Sequence, residues 1–332
     1  MERLRALSQR RIAAVAEVIG LRTRPSTRCL APCFSRHREQ YARQQPFTAG
    51  LTQARLSSTA SLKYVKLERE DLGQSRGSVA TVKLSNPKKL NIVNSDTLVE
   101  LTGALETLQY DDSLRAVVVT SESSESFTPA FCGGADIREM SAIASSEQAR
   151  AFITKIYDVC EAIRNIPAIT IARIDGVCLG AGLEIVAACD FRYATDRSRF
   201  SMPEVKIGIP SVVHARSLIN IMGWQRAKKL MAFAEVLSAS EAEKDGLLDK
   251  RYSTTTEMDT AIGTDVNVLA LHGRKGMHAQ KKLFKAWEEL DFHTGVRTSI
   301  DAFAESYSDS GEEPRSFMKA WIEEKKNSKP PR

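Results

Sequence analysis

The sequence has few residues that could bind a metal ion, and its cysteines lack the spacing of a zinc site. Five histidines and six cysteines occur among the 332 residues, and no two cysteines form a Cys-X-X-Cys pair. Cys160, Cys178 and Cys189 lie in apolar stretches, which is typical of buried thiols in a reducing compartment. We therefore expect no metal site, and cysteines that act as small core residues.

A long apolar run and a basic surface are also missing. No stretch of about 18 uninterrupted apolar residues occurs, so a membrane-spanning helix is not expected. The net charge is +6, but residues 1–60 contain eleven arginines, no lysine and three acidic residues. That segment contributes +8, which leaves a net charge of −2 for residues 61–332. This balance does not favour a nucleic-acid-binding protein.

The arginine-rich segment, residues 1–60, has the composition of a mitochondrial transit peptide. It contains many serines and threonines and few acids, and its first 21 residues have an amphipathic helical pattern. The run Ala54-Arg55-Leu56-Ser57-Ser58 resembles a processing site. The alternative is a disordered basic tail that binds a partner. We expect a protein of the mitochondrial matrix whose ordered part begins near Ser61.

Residues 61–268 alternate between strand and helix patterns. Apolar runs at residues 116–120 and 168–172 are typical of buried strands, and leucines recur at helical spacing through residues 95–108, with Ser95 as the predicted cap. This alternation predicts an α/β fold with parallel strands covered by helices. Residues 269–332 instead predict helices alone, whose apolar faces pack on the core or on a neighbouring subunit. The predicted helices are residues 281–289, 294–307 and 312–326.

Two turns that contain glycine follow buried strands and lead into helices. The first is Cys132-Gly133-Gly134-Ala135-Asp136, and the second is Gly180-Ala181-Gly182-Leu183-Glu184. Free N–H groups at the start of a helix can bind an anionic oxygen, and glycine lets a ligand approach the backbone closely. Taken alone, each turn could equally be a plain connection into a helix.

Two glutamates are candidates for acid–base chemistry. Glu184 falls in the first turn of an apolar helix, and Glu204 falls on a predicted loop between Pro203 and Gly208. A carboxylate in a first turn can simply stabilise the helix end, and Glu204 alone could be a surface acid. A buried carboxylate is costly, however, unless it is paired or functional. The residues alone leave both interpretations open, and His214 is interpreted as structural.

Taken together, these segments resemble the enoyl-CoA hydratase/isomerase (crotonase) family over residues 62–252. The matches, in chain order, are Ser85-Asn86-Pro87…Leu90-Asn91 with the family's Asn-Pro…Leu-Asn, Gly133-Gly134-Ala135-Asp136-Ile137-Arg138 with Ala-Gly-Ala-Asp-Ile-Lys, Gly180-Ala181-Gly182-Leu183-Glu184 with Gly-Gly-Gly-Cys-Glu, and Met202-Pro203-Glu204 with Gln-Pro-Glu.

One segment departs from the family pattern. After Ile-Pro the family often continues Gly-Ala-Gly-Gly, whereas Ile209-Pro210 is followed here by Ser211-Val212-Val213-His214. The larger side chains predict a bulkier wall of the site. The family's acyl-chain preference therefore does not carry over to this sequence.

The resemblance implies a crotonase (ClpP-like) ββα spiral core with a C-terminal helical region at the subunit contacts of a homotrimer or homohexamer. It also implies that the N–H groups of Ala135 and Ala181 hold the thioester oxygen, that Glu184 orients water, and that Glu204 donates a proton. Coenzyme A enters as part of the acyl-CoA substrate, and no other cofactor is implied. The implied substrate-binding residues are Ala135, Asp136, Ile137, Arg138 (near the CoA phosphates), Ala181 and Gly182.

The presence of both glutamates favours an enoyl-CoA hydratase, acting in fatty acid or branched-chain acyl-CoA metabolism. An enoyl-CoA isomerase is the nearest alternative, because isomerases of this family commonly need only the glutamate at the Glu204 position. Another crotonase-type lyase or hydrolase is a further alternative. A non-catalytic RNA-binding or scaffold relative is an alternative of a different class, against which the charge of −2 in residues 61–332 argues.

Overall fold

The computed structural model describes residues 62–73 and 76–327. The predicted transit segment lies outside these ranges, and so do two residues of the polar turn between the first two strands. Within the described ranges, no helix combines the length and the apolar composition that a membrane crossing requires.

The strands of the described residues form two sheets. They are Val65–Asp71 (β1), Ser78–Leu84 (β2), Leu114–Ser121 (β3), Ala130–Cys132 (β4), Ile169–Ile174 (β5), Val177–Leu179 (β6), Phe191–Thr195 (β7), Arg199–Ser201 (β8), Leu237–Ser238 (β9) and Lys250–Tyr252 (β10). The larger sheet has the order β1-β2-β3-β5-β7-β10, and only its β1–β2 pair is antiparallel. The smaller sheet has the order β4-β6-β8-β9, with an antiparallel β8–β9 pair.

Helices alternate with these strands up to β10 and then continue without strands through the described residues. They are Ser95–Leu108 (α1), Ile137–Ser141 (α2), Ser146–Arg164 (α3), Ala181–Ala187 (α4), Ser217–Phe233 (α5), Ala239–Lys244 (α6), Thr255–Leu271 (α7), Arg274–Glu289 (α8), Phe292–Glu305 (α9) and Glu312–Asn327 (α10). The predicted α/β alternation and the helical C-terminal region are confirmed. The predicted domain boundary at residue 268 falls inside α7.

Helices α1 and α3 pack against each other, and α1 also contacts β1 and β2. The leucines Leu98 and Leu105 of α1 are fully buried, and burying such a side chain stabilises the fold by roughly 1.5–3 kcal/mol. The predicted cap of α1 was wrong by one residue. Asn94 has the extended backbone of a cap and accepts a hydrogen bond from the Thr97 N–H at 2.9 Å. The Ser95 N–H donates to Glu139 instead, at 2.9 Å.

Helix α7 covers part of the other face of the larger sheet. Its buried side chains Met258, Ile262 and Val266 pack in one cluster with apolar residues of β2, β3 and β5. Strands β3 and β5 are therefore apolar on both faces, because helices cover the sheet from both sides.

Helix α8 is attached to the core by a buried lysine. Lys281 is 4% exposed, and its ammonium group contacts the Asp190 carboxylate and lies 3.3 Å from the Thr170 hydroxyl. Asp190 also accepts a hydrogen bond from the Thr170 N–H at 2.7 Å. A buried charge is costly unless it is paired in this way, so this contact holds α8 at the points where strands β5 and β7 begin.

Asn91 joins three stretches of backbone through its side chain. It is 1% exposed, its amide nitrogen donates to the carbonyls of Glu122 (3.0 Å) and Ala130 (2.8 Å), and its side-chain oxygen accepts from the Asn86 N–H (2.8 Å). Its φ is +50°, a left-handed conformation that asparagine tolerates better than most residues. The Asn86…Asn91 motif thus braces the loop that enters β4.

We expect Asn91→Ala to lower the free energy of unfolding by about 2–4 kcal/mol, because one buried and two part-buried backbone groups lose their partner and alanine is strained at positive φ. Urea denaturation followed by circular dichroism measures this loss. Asn267→Ala, on the exposed side of α7, is the matched control and should change the stability by less than about 0.5 kcal/mol. Equal midpoints for the two variants would contradict the bracing role of Asn91.

Candidate active site

Two backbone turns meet at the ends of neighbouring parallel strands. Strands β4 and β6 pair with Cys132 opposite Cys178, and the turns that follow lead to Ala135 and Ala181, each three residues further along the chain. Among the described residues, the N–H groups of Ala135 and Ala181 donate to no other protein group. Two unpaired donors therefore lie at the same edge of the smaller sheet, where they can bind an oxygen that carries negative charge.

The first turn is held by a strand-like pairing with residues 90–93. The Gly133 N–H donates to the Leu90 carbonyl at 2.8 Å, and the Val93 N–H donates to the Gly134 carbonyl at 2.9 Å. The Asp136 N–H donates back to Val93, also at 2.9 Å. Because this pattern uses the backbone groups on either side of Ala135, it leaves the Ala135 N–H free.

The second turn depends on two glycines. Gly180 has φ +50°, and a Cβ at this position would lie 2.6 Å from Oε1 of Glu204. A Cβ at Gly182 would lie 2.6 Å from the Cβ of Cys132 and 2.8 Å from its carbonyl oxygen. Glycine at these positions lets the Glu204 carboxyl approach the start of α4 and lets α4 approach β4. Because a side chain at position 182 would collide with Cys132, the glycine allows α4 to pack closely on β4. The contact of Gly182 with substrate stays a prediction.

Glu184 lies in the first turn of α4, which is buried on all sides as the sequence predicted. The side chain is 4% exposed, and its Oε1 accepts a hydrogen bond from the Ala215 N–H at 3.3 Å. Its Oε2 accepts none from the described residues. Burial raises the pKa of Glu184 to about 8, and the charge of Glu204 adds to this rise against the opposing hydrogen bond from Ala215.

Glu204 opens a short 3-10 helix, Glu204–Ile207, within the predicted loop. Its Oε1 lies against Gly180, and its Oε2 accepts a hydrogen bond from the Ser211 hydroxyl at 2.9 Å. Burial raises the pKa of Glu204, although hydrogen bonds from its own backbone and from Ser211 oppose the rise. The structure therefore brings Glu204 to the start of the helix that carries Glu184.

Two groups that contact these glutamates were not among the residues predicted from the sequence. Ser211 was considered only as part of a bulkier wall, and the Ala215 N–H was not considered at all. The signal for Ser211 was available, because it replaces a glycine of the family pattern within seven residues of Glu204. The backbone donor of Ala215 leaves no mark in a sequence.

The predicted CoA-binding residues lie on the first turn of α2. The Asp136 side chain caps this helix by accepting a hydrogen bond from the Arg138 N–H at 2.9 Å, and Ile137 is 59% exposed. The exposed Arg138 guanidinium has no partner among the described residues. The exposed Lys88 and Lys89 also have no hydrogen-bond or ion-pair partner among the described residues. They directly precede residues 90–93, which pair with the first turn, so their positive charge lies beside the site.

Comparison with known proteins agrees with this arrangement. A family model described as enoyl-CoA hydratase/isomerase matches residues 74–328, which is more than half of the chain. The chain belongs to the enoyl-CoA hydratase/isomerase family. The short-chain-enoyl-CoA hydratase of Clostridium acetobutylicum is 32% identical over 268 residues, which cover 80% of this chain and 97% of that protein. The human mitochondrial methylglutaconyl-CoA hydratase is 29% identical over 249 residues, 74% of this chain and 70% of that protein.

Solved structures in this family share the fold. The enoyl-CoA hydratase of Mycobacterium smegmatis has a TM-score of 0.68 at 28% identity, covering 74% of this chain and 91% of its own. The enoyl-CoA hydratase of Bacillus anthracis has a TM-score of 0.67 at 25% identity, covering 76% of this chain and 96% of its own. The predicted crotonase fold is therefore confirmed.

The proximity of the two glutamates predicts coupled titration. We expect Glu204→Gln to lower the pKa of Glu184 from about 8, because a neutral amide replaces the charge that opposes its ionisation. Burial remains, so this pKa should stay above 4.5. Carbon-13 NMR of the glutamate carboxyls in labelled protein measures both values.

Glu122→Gln provides the matched control for this titration. Glu122 pairs with Lys66 and Ser85 and does not contribute to the shift of Glu184. An unchanged Glu184 titration in Glu204→Gln would mean that the two carboxyls do not face each other.

Proposed function

We propose that this chain is an enoyl-CoA hydratase, which adds water across the 2,3 double bond of a 2-trans-enoyl-CoA to give a 3-hydroxyacyl-CoA. The observation that carries this proposal is the meeting of the buried Glu184 carboxyl and the half-buried Glu204 carboxyl, both of raised pKa, beside two unpaired N–H groups. The names of the relatives, including short-chain-enoyl-CoA hydratase and crotonyl-CoA hydratase, support it. Fatty acid or branched-chain acyl-CoA metabolism is the corresponding role.

The N–H groups of Ala135 and Ala181 are proposed to hold the thioester oxygen. Addition of water at C3 moves electron density onto this oxygen, and donors already in place stabilise the charge as it forms. Removal of one such donor typically costs on the order of 3 kcal/mol of activation free energy. Because both groups belong to the backbone, any residue other than proline at positions 135 and 181 retains the N–H donor.

The two glutamates are proposed to exchange protons with water and substrate. As the water oxygen bonds to C3, an ionised carboxylate takes one water proton, and a protonated carboxyl gives a proton to C2. The pair must therefore hold one proton. The resemblance assigns the water to Glu184 and the donated proton to Glu204. Burial raises the pKa of both carboxyls, which favours one proton held by the pair.

The CoA part of the substrate is proposed to bind beside α2. Arg138, Lys88 and Lys89 offer unpaired positive charge for its phosphates, with Asp136 and Ile137 on the same turn. Hydration moves only water and protons, so the proposal requires no metal and no redox cofactor.

An isomerase remains the second candidate within the family. Moving a double bond needs one group that removes and returns a proton, and Glu204 alone could do this. The buried Glu184 favours hydration instead, because hydration needs a second carboxyl that binds the water. Its Oε2 accepts no hydrogen bond from the described residues and so can accept one from water. A non-catalytic RNA-binding or scaffold role would leave the buried Glu184 and the half-buried Glu204 without a use.

The C-terminal helices are proposed to form the subunit contacts of a homotrimer or homohexamer in the mitochondrial matrix. Phe292, Val296, Ile300 and Phe303 are exposed at helical spacing along α9. Such a continuous apolar stripe is typical of an interface between proteins. The names of the mouse and human relatives include a mitochondrial location, which supports the interpretation of residues 1–60 as a transit peptide.

Loss of either glutamate tests the proposed reaction. We expect Glu184→Gln and Glu204→Gln each to reduce kcat for hydration of a short 2-trans-enoyl-CoA by about 100-fold or more, because general acid–base groups typically contribute 10²–10⁴-fold. The decrease in ultraviolet absorbance of the conjugated thioester measures the rate. Glu122→Gln, the control variant, should keep wild-type activity. Full activity in either site variant would rule out the two-carboxyl mechanism.

The oligomer is tested by charge placed on the α9 stripe. We expect the double variant Ile300→Asp/Phe303→Asp to reduce the mass measured by light scattering toward one 36.7 kDa chain, because buried unpaired carboxylates oppose association. Val99→Asp, at an exposed position of α1, is the control and should leave the mass unchanged. A monomeric wild-type protein, or a double variant of unchanged mass, would refute this interface.

A further inference from the structure

The backbone N–H of Ala215 is shared between two acceptors. It donates to the Val212 carbonyl at 2.9 Å and to Glu184 Oε1 at 3.3 Å. The bond to Glu184 is the longer branch of this three-centre hydrogen bond, and such bonds weaken steeply as their angle departs from the optimum. The hydrogen bond to Glu184 therefore depends on the position of the short turn that carries Ala215.

The backbone of this turn is strained, so contacts with the rest of the protein must hold it. The turn is the 3-10 helix Val213–Arg216, and Val213 has φ +49°, a left-handed conformation that is rare for a β-branched residue. Strain of this kind persists where the surrounding structure holds it. The Val213 side chain packs against the core, while the exposed Arg216 contacts Asn220 of the helix that follows.

His214 attaches the turn to helix α3 through a polar contact. Its ring is buried, with Nε2 at 3.5 Å from Glu161 Oε1 and Nδ1 at 3.0 Å from the Ser217 hydroxyl. Burial and the charge of Arg164 lower the pKa of His214, so the ring is neutral near pH 7. A neutral ring carries one N–H, and the carboxylate beside Nε2 favours the proton there, which leaves Nδ1 to accept from Ser217. Both ring nitrogens therefore have a partner.

Glu161 is itself held in place by two cations. Its Oε2 accepts a hydrogen bond from Lys285 of α8 at 2.8 Å, and its Oε1 lies 3.2 Å from the Arg164 guanidinium. Lys285 also donates to the Asn165 side chain at 2.7 Å. Glu161 is thus a fixed point where α3 meets α8, and His214 connects the turn to this point.

We propose that His214 is a positioning residue for Glu184, which acts through the Ala215 N–H by holding the turn against Glu161. The importance of this contact for catalysis rests on the proposed hydratase function. While Oε1 of Glu184 stays bonded to Ala215, Oε2 faces water in one fixed direction. If the turn moves, the carboxyl loses this constraint, and fewer encounters with water have the geometry that addition requires.

His214→Phe tests the proposal, because phenylalanine keeps the size of the ring and removes both nitrogens. His214→Gln is the conservative variant, whose amide N–H can still donate to Glu161. In the free protein, carbon-13 NMR should report a pKa for Glu184 higher than about 8 in His214→Phe, because a displaced Ala215 N–H no longer favours the ionised carboxylate. His214→Gln should restore a near wild-type value. We expect kcat to fall about tenfold in His214→Phe with KM within about twofold, since orientation is lost and binding is kept.

His278→Phe is the matched control. His278 is a half-buried histidine of α8, and its Nε2 lies 3.3 Å from the Leu114 carbonyl. Urea denaturation measures the stability of both phenylalanine variants. His278→Phe should leave the Glu184 titration and kcat unchanged even where it lowers the stability. A change of either quantity in this control would mean that a general loss of stability, and not positioning, produces the effect.

Glu161→Ala removes the same contact from the side of α3 and decides the question if His214→Phe does not fold. It should also lower kcat, and the losses of the two variants should not add in the double variant, because both residues act through one contact. An unchanged Glu184 pKa in His214→Phe, or a loss of kcat that His214→Gln does not restore, would overturn the inference. A wild-type protein that hydrates no enoyl thioester would overturn the proposed function, while the titration of Glu184 in the free protein would still decide the role of His214.

Discussion

The burial of the Glu184 carboxyl beside the half-buried carboxyl of Glu204 is the constraint on which the rest of this structure depends. An isolated buried charge costs several kcal/mol, and two like charges in one site cost more. The protein lowers this cost by keeping a proton on the pair, since burial and the charge of Glu204 raise the pKa of Glu184 to about 8. A pair that shares one proton is also what addition of water requires. The burial that raises this pKa costs stability at neutral pH, where the unfolded chain would be ionised, and it provides the protonation state that the chemistry needs.

The surrounding backbone is arranged to keep this pair and the two N–H donors together. The parallel pairing of Cys132 with Cys178 fixes the two turns at one edge of the smaller sheet. Residues 90–93 hold the first turn, and Asn91 anchors those residues to the loop before β4. Gly180 and Gly182 allow approaches that any side chain would block. These contacts join four separate stretches of chain, namely residues 90–93, the two turns after β4 and β6, and the segment that carries Glu204.

The sequence was sufficient for the features that repeat at a regular spacing. The leucines of α1, the buried strands β3 and β5 and the apolar helix α4 were predicted because their patterns extend over several turns or several strand residues. The short strands β6, β8 and β9 have two or three residues and carry no such pattern. The cap of α1 was misplaced because Asn94 and Ser95 are both common capping residues.

Contacts between residues that are distant in the chain could not be predicted from the sequence. The buried Lys281 pairs with Asp190, 91 residues away, and nothing in its helix distinguishes it from an exposed lysine. The candidate glutamates could be named from the family resemblance, but their closeness could not be derived from their spacing. Ser211 was visible as a departure from glycine, yet its hydrogen bond to Glu204 depends on how the chain turns between them.

The departure from the family pattern acts on the carboxyls more than on the wall of the site. Of the four larger residues, Ser211 contacts Glu204, Val213 packs against the core, and His214 is buried against Glu161, which also accepts a hydrogen bond from Lys285 of α8. Only Val212, 38% exposed, is left to add bulk at the surface of the segment. The additional side chains therefore connect the segment to the core and to α8. A glycine-rich segment would lack these side-chain contacts and would have more backbone freedom. The segment found here is more restricted, and it contacts both glutamates, so it helps to fix their positions.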